Sequence, residues 1–214
     1  MTLTETDLIS AATAASAIWM CGVAGVQAQL RGLAIQTFGM AGICALVGYQ
    51  ENLPNYYLLA AVILVVKAIG IPSFLSWAAR RLDVRRDPGA YVGSAISLVM
   101  GCALLVVGML TGRAMTGPSV HGAGAAGMAM ALVFIGMLLM ITRRLALSQL
   151  IGLLTMENGI LLFGLTQTRG MPLMVEMGVV FEILVGVLIG GLVIFGLSRS
   201  FEHIDVTNLR RLRR

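Results

Sequence analysis

Long apolar segments alternate with short polar segments along the whole chain, and this pattern predicts membrane helices. About 20 apolar residues are needed for a helix to cross a bilayer. Seven segments reach that length, and we predict spans at 9–30, 32–50, 55–79, 90–112, 123–142, 145–167 and 172–198. The pattern therefore predicts an all-α, polytopic membrane protein with seven transmembrane helices. We find no convincing internal repeat and no soluble domain.

The arginines test this count, because the loops on the two sides of a membrane differ in their basic residues. With seven spans, twelve arginines fall on one side: Arg31, Arg80, Arg81, Arg85, Arg86, Arg143, Arg144, Arg199, Arg210, Arg211, Arg213 and Arg214. The other side receives two, Arg113 and Arg169. Cytoplasmic loops carry the excess of basic residues. We therefore expect a multi-pass protein of the inner (cytoplasmic) membrane, with its N-terminus outside and its C-terminus in the cytoplasm.

Composition narrows the chemistry that this chain can perform alone. Only 12% of the residues are charged, against about 25% in soluble domains. The net charge of +5 follows from the basic loops, so we expect membrane lipids and no nucleic acid as partners. The cysteines, Cys21, Cys44 and Cys102, stand apart in apolar runs, whereas zinc and iron–sulfur sites need clustered thiolates. We expect no metal, bound cofactor or redox centre in this chain.

Ionisable residues inside the predicted membrane helices are the strongest functional signal. A charge at bilayer depth is costly, so such residues face protein or water and often carry function. Lys67, Glu157 and Glu182 lie deep, and Glu176 lies nearer the outer end of the seventh helix. Glu157 lies 13 residues before Gly170 and Glu182 lies 12 residues after it. At 1.5 Å per residue both are roughly 18–20 Å from that turn, which places the two carboxylates at similar depth.

These groups could form a proton pathway, or they could pair and neutralise one another. Lys67 is the sole lysine and precedes Pro72 by five residues, and a proline loosens the hydrogen bonding of a helix. We predict a proton pathway of Glu157, Glu182, Lys67 and Glu176, with Asn158 and Gln149 as hydrogen-bonding supports. The sequence leaves open whether Glu157 meets Lys67 or Glu182.

Three features of the C-terminal part carry a resemblance to a known subunit. They are the run 150–153 (Leu-Ile-Gly-Leu) followed by Met156-Glu157-Asn158, the deep Glu182, and the ending His203-Ile204-Asp205. This part, 116–214, resembles the three-helix K subunit of respiratory complex I and its relative, the C subunit of multisubunit sodium/proton antiporters. In the K subunit the glutamate directly follows Ile-Gly-Leu. Here it comes three residues later, which is close to one helical turn.

The remaining region, 1–115, adds four helices to that three-helix part. With these helices, and with Met-Glu-Asn-Gly-Ile at 156–160, nearly the whole chain resembles the hydrogenase-4 component E family. Members of that family are membrane subunits of formate hydrogenlyase-type and related group 4 NiFe-hydrogenase complexes. The resemblance implies antiporter-like membrane subunits, a complex I H-like membrane subunit and a cytoplasmic hydrogenase arm as partners. The NiFe centre and the iron–sulfur clusters would belong to those partners.

The resemblance implies a non-catalytic subunit of an oxidoreductase complex. Its buried Glu and Lys residues would contribute to proton translocation, coupled to electron transfer in the partner subunits. One alternative is a subunit of a multisubunit cation/proton antiporter without redox partners. Another is a non-conducting membrane scaffold, in which the deep charges pair between helices and hold them together.

Overall fold

The computed structural model describes residues 5–81, 91–116 and 123–167, together with residue 191. This part of the chain is helical and contains no β-strand. Its elements are α1 (Glu5–Gly22), α2 (Val26–Gln50), α3 (Asn55–Val62), a π-helical segment (Ile63–Gly70), α4 (Ile71–Arg81), α5 (Ser94–Thr116), α6 (Ala123–Thr142) and α7 (Ala146–Gln167).

Five helices in these ranges are long and apolar enough to cross a membrane. They are Val26–Gln50, Asn55–Arg81, Ser94–Thr116, Ala123–Thr142 and Ala146–Gln167. The second of these is continuous and is made of α3, the π-helical segment and α4. The predicted seventh span at 172–198, with Glu176 and Glu182, lies outside the described residues. The all-α class is confirmed for the described residues, whereas seven spans and the orientation stay predictions.

The predicted division of the first 50 residues is wrong in one respect. We expected a connection near Arg31, but the chain breaks at residues 23–25, and Arg31 lies exposed on α2. The amide Nε2 of Gln29 donates to the carbonyl oxygen of Val23 at 3.0 Å and closes the connection. Because Arg31 is only five residues into α2, its long side chain can reach the membrane surface from within the helix.

The fourth predicted span, 90–112, is displaced in the same way. The helix begins at Ser94 and ends at Thr116, so Arg113 is an exposed residue of its last turn and not the start of a loop. The span predicted at 123–142 is confirmed as a helix with the same ends. Charged residues near helix ends therefore account for the displaced boundaries.

Glycines allow neighbouring helices to pack at backbone distance. A Cβ atom on Gly108 of α5 would lie 2.5 Å from the backbone nitrogen of Ala131 on α6. A Cβ atom on Gly152 of α7 would lie 2.9 Å from the carbonyl oxygen of Gly136 on α6. Small residues at such positions let membrane helices approach closely. The helices α5, α6 and α7 thus form a tightly packed antiparallel series.

The structure contains an internal repeat that we did not expect from the sequence. The hairpin α1–α2 and the hairpin α6–α7 have matching contacts between residues 120 positions apart. Gly32 packs on Met20, and Gly152 packs on Met140. Likewise, Gly39 packs on Thr13, as Gly159 packs on Val133. Gln149 donates to the carbonyl oxygen of Arg143 at 2.9 Å, as Gln29 donates to that of Val23.

The sequences of the two hairpins agree at these contact positions. Residues 29–33 read Gln-Leu-Arg-Gly-Leu, and residues 149–153 read Gln-Leu-Ile-Gly-Leu. Equivalent helices also pack against each other, since α1 contacts α6 and α2 contacts α7. The helices of each such pair run in the same direction. The two hairpins are therefore related by an approximate twofold axis parallel to the helices.

Candidate functional site: a buried polar cluster between the two hairpins

The central feature of the site is an ion pair between two distant parts of the chain. The ammonium nitrogen Nζ of Lys67, on the π-helical segment, lies 2.7 Å from Oε1 of Glu157 on α7. Lys67 is only 3% exposed and Glu157 only 7%. The sequence left two partners open for Glu157, and the structure pairs it with Lys67.

Both partners lie near the middle of their helices. Lys67 is 12 residues from Asn55 and 14 from Arg81, the ends of its continuous helix. Glu157 is 11 residues from Ala146 and 10 from Gln167. At 1.5 Å per residue these positions are roughly 15–20 Å from the helix ends. In a bilayer whose apolar core is about 30 Å thick, this is close to the midplane.

The helix that carries Lys67 is locally widened. From Ile63 to Gly70 it is a π-helix, in which backbone bonds join residues five apart, and such segments are frequent at functional sites. Pro72 follows this segment and is buried. A proline has no N–H to offer and its ring clashes with the carbonyl four residues earlier. The widened bonding upstream is a physical accommodation of that proline, and it sets the direction of Lys67.

Glycines of α7 place Glu157 deep between helices. Gly152 and Gly159 flank it, and a Cβ atom on Gly159 would lie 2.7 Å from the carbonyl oxygen of Ala129 on α6. The backbone of α7 is therefore pressed against α6 on both sides of the glutamate. Because this face of α7 cannot move away from α6, the position of the carboxylate is fixed by the backbone.

Asn158 extends the site to α2. Its amide nitrogen Nδ2 lies 3.4 Å from Oε1 of Gln36 and 3.4 Å from Oγ1 of Thr37. All three residues are completely buried. The Thr37 hydroxyl donates to the carbonyl oxygen of Leu33 at 2.9 Å and so remains an acceptor for Asn158. We refer to the following residues as the central polar cluster: Gln36, Thr37, Lys67, Glu157 and Asn158.

Two oxygen atoms of this cluster are buried without a hydrogen bond. Within the described ranges, neither Oε2 of Glu157 nor Oδ1 of Asn158 has a hydrogen-bond partner. A buried oxygen that gives up water without a replacement is destabilising by about 1–3 kcal/mol. The cluster is thus more than a closed ion pair, because it keeps unused capacity to accept protons or hydrogen bonds.

The remaining predicted site residues do not join this cluster in the described part of the chain. Gln149 is exposed at the start of α7 and serves the α6–α7 connection, eight residues from Glu157. Glu176 and Glu182 lie outside the described residues, so their predicted part in the pathway stays a prediction.

Sequence reasoning missed Gln36 and Thr37 as site residues. The signal was present, since both are polar residues in the middle of the apolar run 32–47. Neither is ionisable, so neither stood out in a search for deep charges. Their position opposite Asn158 depends on the packing of α2 against α7, which the sequence alone does not provide.

The described residues hold no candidate metal centre. Across residues 5–81, 91–116 and 123–167, no three His, Cys, Asp or Glu side chains are grouped closely enough to hold a metal ion. Cys21 and Cys44 are buried and Cys102 is exposed, and none of them forms a disulfide. The chemistry available in these ranges is therefore proton transfer and hydrogen bonding.

Comparison with known proteins identifies a relative that covers most of the chain. The chain is similar to the uncharacterized protein Rv0085 of Mycobacterium tuberculosis, with 31% identity over 194 residues, 88% of this chain and 86% of the relative. The chain belongs to the Rv0085 family. No protein-family model and no solved structure matches it. The assignment to the Rv0085 family names relatives but no activity, so the function must be argued from the site.

Proposed function

We propose that this chain is an integral, multi-pass subunit of a proton-translocating membrane complex of the group 4 NiFe-hydrogenase or complex I type. The observation that carries the proposal is the buried ion pair of Lys67 and Glu157, which lies near the middle of two helices long and apolar enough to span a membrane. Ionisable residues at this depth mark proton relays in pumps and transporters.

The chemistry of the pair suits such a relay. A proton can move from the ammonium group of Lys67 to the carboxylate of Glu157, so that one N–H bond breaks and one O–H bond forms. The pair is neutral overall before and after this step, which makes both states tolerable in an apolar environment. A charge that arrives nearby shifts the balance between them. Electron transfer in a partner subunit could therefore drive proton movement through the pair.

The assembly that we propose follows from the sequence resemblance. The chain, as a hydrogenase-4 component E-like subunit, would lie in the inner membrane with seven spans, its N-terminus outside and its C-terminus in the cytoplasm. Antiporter-like subunits and a complex I H-like subunit would flank it, and a cytoplasmic hydrogenase arm would hold the NiFe centre and the iron–sulfur clusters. The run Leu150 to Asn158, which carries the resemblance, also carries Glu157.

The first test is the identity of the partners. The tagged full-length chain is purified in mild detergent, and the co-purifying proteins are identified by mass spectrometry. We expect the large and small subunits of a hydrogenase together with antiporter-like membrane subunits. Antiporter-like subunits without any redox protein would instead support the antiporter alternative, and a chain that purifies alone would contradict both assemblies.

The second test is Glu157→Gln in the assembled complex. Because glutamine cannot take up the proton, we expect proton translocation per turnover to fall strongly while the complex still assembles. Glu51→Gln is the matched control, since Glu51 is exposed beside the α2–α3 turn, and it should translocate normally. Normal translocation by the Glu157 variant would contradict the relay.

One observation also favours the scaffold alternative. The ion pair joins residues 90 positions apart, and it could simply hold the two regions of the chain together. The variant Lys67→Met/Glu157→Gln separates the two functions, because it removes both charges and leaves neither unpaired. Normal assembly with lost translocation supports the relay, whereas normal assembly with normal translocation supports the scaffold.

A further inference from the structure

The second half of the central polar cluster has unused hydrogen-bonding capacity. Oε2 of Glu157 and Oδ1 of Asn158 are buried, and neither has a partner within the described residues. Glu157 is 7% exposed and Asn158 is 0% exposed. Buried polar groups that lack a protein partner are commonly satisfied by ordered water. These two oxygens therefore point to a small polar ligand between α2 and α7.

The surrounding side chains have the right chemistry to hold water. Asn158 lies 3.4 Å from both Gln36 and Thr37, which is longer than the usual 2.7–3.2 Å of an N–H···O bond. The three side chains therefore meet without short direct bonds. A buried water typically makes two to four hydrogen bonds, and these residues offer donors and acceptors from both helices.

The internal repeat places this chemistry at equivalent depth in both hairpins. Thr37 precedes Glu157 by 120 residues, the same interval that relates Gly32 to Gly152. The first hairpin has no carboxylate at this depth, and its polar side chains instead contact Asn158 of the second. The contact between the equivalent helices α2 and α7 is thus polar at the level of Glu157 and apolar in much of the remainder.

We propose that the central polar cluster binds ordered water between α2 and α7, and that Gln36 and Thr37 position this water to exchange a proton with Glu157. When Glu157 is protonated, its O–H bond breaks as the water oxygen accepts the proton. One O–H bond of the water breaks in turn, and that proton passes to a further water, so the bound water is regenerated. The role in proton exchange rests on the proposed function, whereas the water site does not depend on it.

The water site is tested by radiolytic labelling of the full-length protein in ¹⁸O-water. Hydroxyl radicals formed from bound water oxidise adjacent methionine to its sulfoxide, and Sδ of the buried Met20 lies 3.8 Å from Nε2 of Gln36. We expect ¹⁸O to enter Met20 rapidly, and the rate to fall several-fold in Asn158→Leu and in the near-isosteric Thr37→Val. Thr155→Val is the control, because the Thr155 hydroxyl bonds only its own helix at Ile151.

The two possible failures can be told apart. A Met20 labelling rate that is negligible in the unaltered protein, or unchanged in both cluster variants, would overturn the water site whatever Glu157 does. If the site is present, proton translocation should fall in Thr37→Val and return in Thr37→Ser, which restores the hydroxyl. Normal translocation in Thr37→Val, alongside a defective Glu157→Gln, would refute the positioning role and leave the proposed function intact.

Discussion

Lys67 and Glu157 depend on each other because each would be a costly charge in an apolar interior if it stood alone. Their contact at 2.7 Å offsets the loss of water, yet a buried pair contributes little net stability compared with two apolar residues. Removing one partner is a different matter, since it leaves the other charge buried and unpaired. The pair is therefore better explained by what its proton can do than by the stability that it adds.

This argument predicts a non-additive result in a double-mutant cycle. Lys67→Met and Glu157→Gln should each lower the free energy of unfolding by about 3–5 kcal/mol, because each leaves its partner unpaired. The double variant should recover most of that loss. The measurement is denaturant unfolding of the purified chain in detergent micelles. Two single losses that simply add in the double variant would show that the side chains are not energetically coupled.

At the same scale, the depth of the charges was predictable and their pairing was not. The position of Glu157 within an apolar run places it near the middle of a membrane helix, and the structure agrees. Which group it meets depends on how the continuous helix Asn55–Arg81 turns its side chains toward α7. The π-helical segment changes that direction, and only Pro72 hinted at it.

Close backbone packing is the main determinant of structure at the scale of helices. The face of α5 that meets α6 carries Gly108 and Gly112, where a Cβ atom would collide with the α6 backbone. Most of the rest of α5 is exposed and apolar. The antiparallel series α5, α6 and α7 therefore rests on small residues, and through it the position of Glu157 rests on them too.

Gly108→Val should disrupt this packing, whereas Gly42→Ala should not. The added side chain at Gly108 meets the backbone of Ala131, which cannot move aside cheaply, so we expect a loss of at least about 1–3 kcal/mol. A Cβ atom added to Gly42 on α2 would have nothing within 4 Å, and alanine there should stabilise the helix by up to about 1 kcal/mol. Thermal unfolding in the same detergent compares the two, and equal stabilities would contradict the packing argument.

Helix ends were predictable only where polarity changes sharply. Ala123–Thr142 is bounded by glycine and by two arginines, and its ends were predicted correctly. The connection at residues 23–25 has no charge, whereas Arg31 lies inside a helix, so the polarity pattern placed the break several residues too late. A charged side chain marks the membrane surface within its own reach, and this reach is about the size of the error.

The internal repeat organises the molecule as a whole. Two equivalent hairpins pack with α1 against α6 and α2 against α7, and the central polar cluster lies at the second of these contacts. The repeat was not evident from the sequence because the hairpins share mainly the residues that pack or close a connection. Helix-to-helix contacts constrain a few positions strongly and leave the apolar remainder free to differ.

The packing also brings basic residues of several helices to one end. Arg143 at the end of α6 donates through Nη2 to the carbonyl oxygens of Met20 and Cys21 at the end of α1, at 3.1 and 3.0 Å. Arg144 stacks over Tyr91, 4.2 Å from the ring centroid. The arginines near these contacts thus share one end of the helices, which the excess of basic residues predicts to be cytoplasmic.

Single cysteines introduced at the two ends test this orientation. In a Cys102→Ser background, which removes the exposed native thiol, Arg144→Cys and Glu51→Cys each place a cysteine at an exposed position, at opposite ends of the helices. An impermeant maleimide applied to intact cells should label position 51 and not position 144. Inverted membrane vesicles should give the opposite result, and both positions should react after lysis. Labelling of position 144 alone in intact cells would place the basic end outside, and labelling of both positions from one side would contradict the antiparallel packing of the helices.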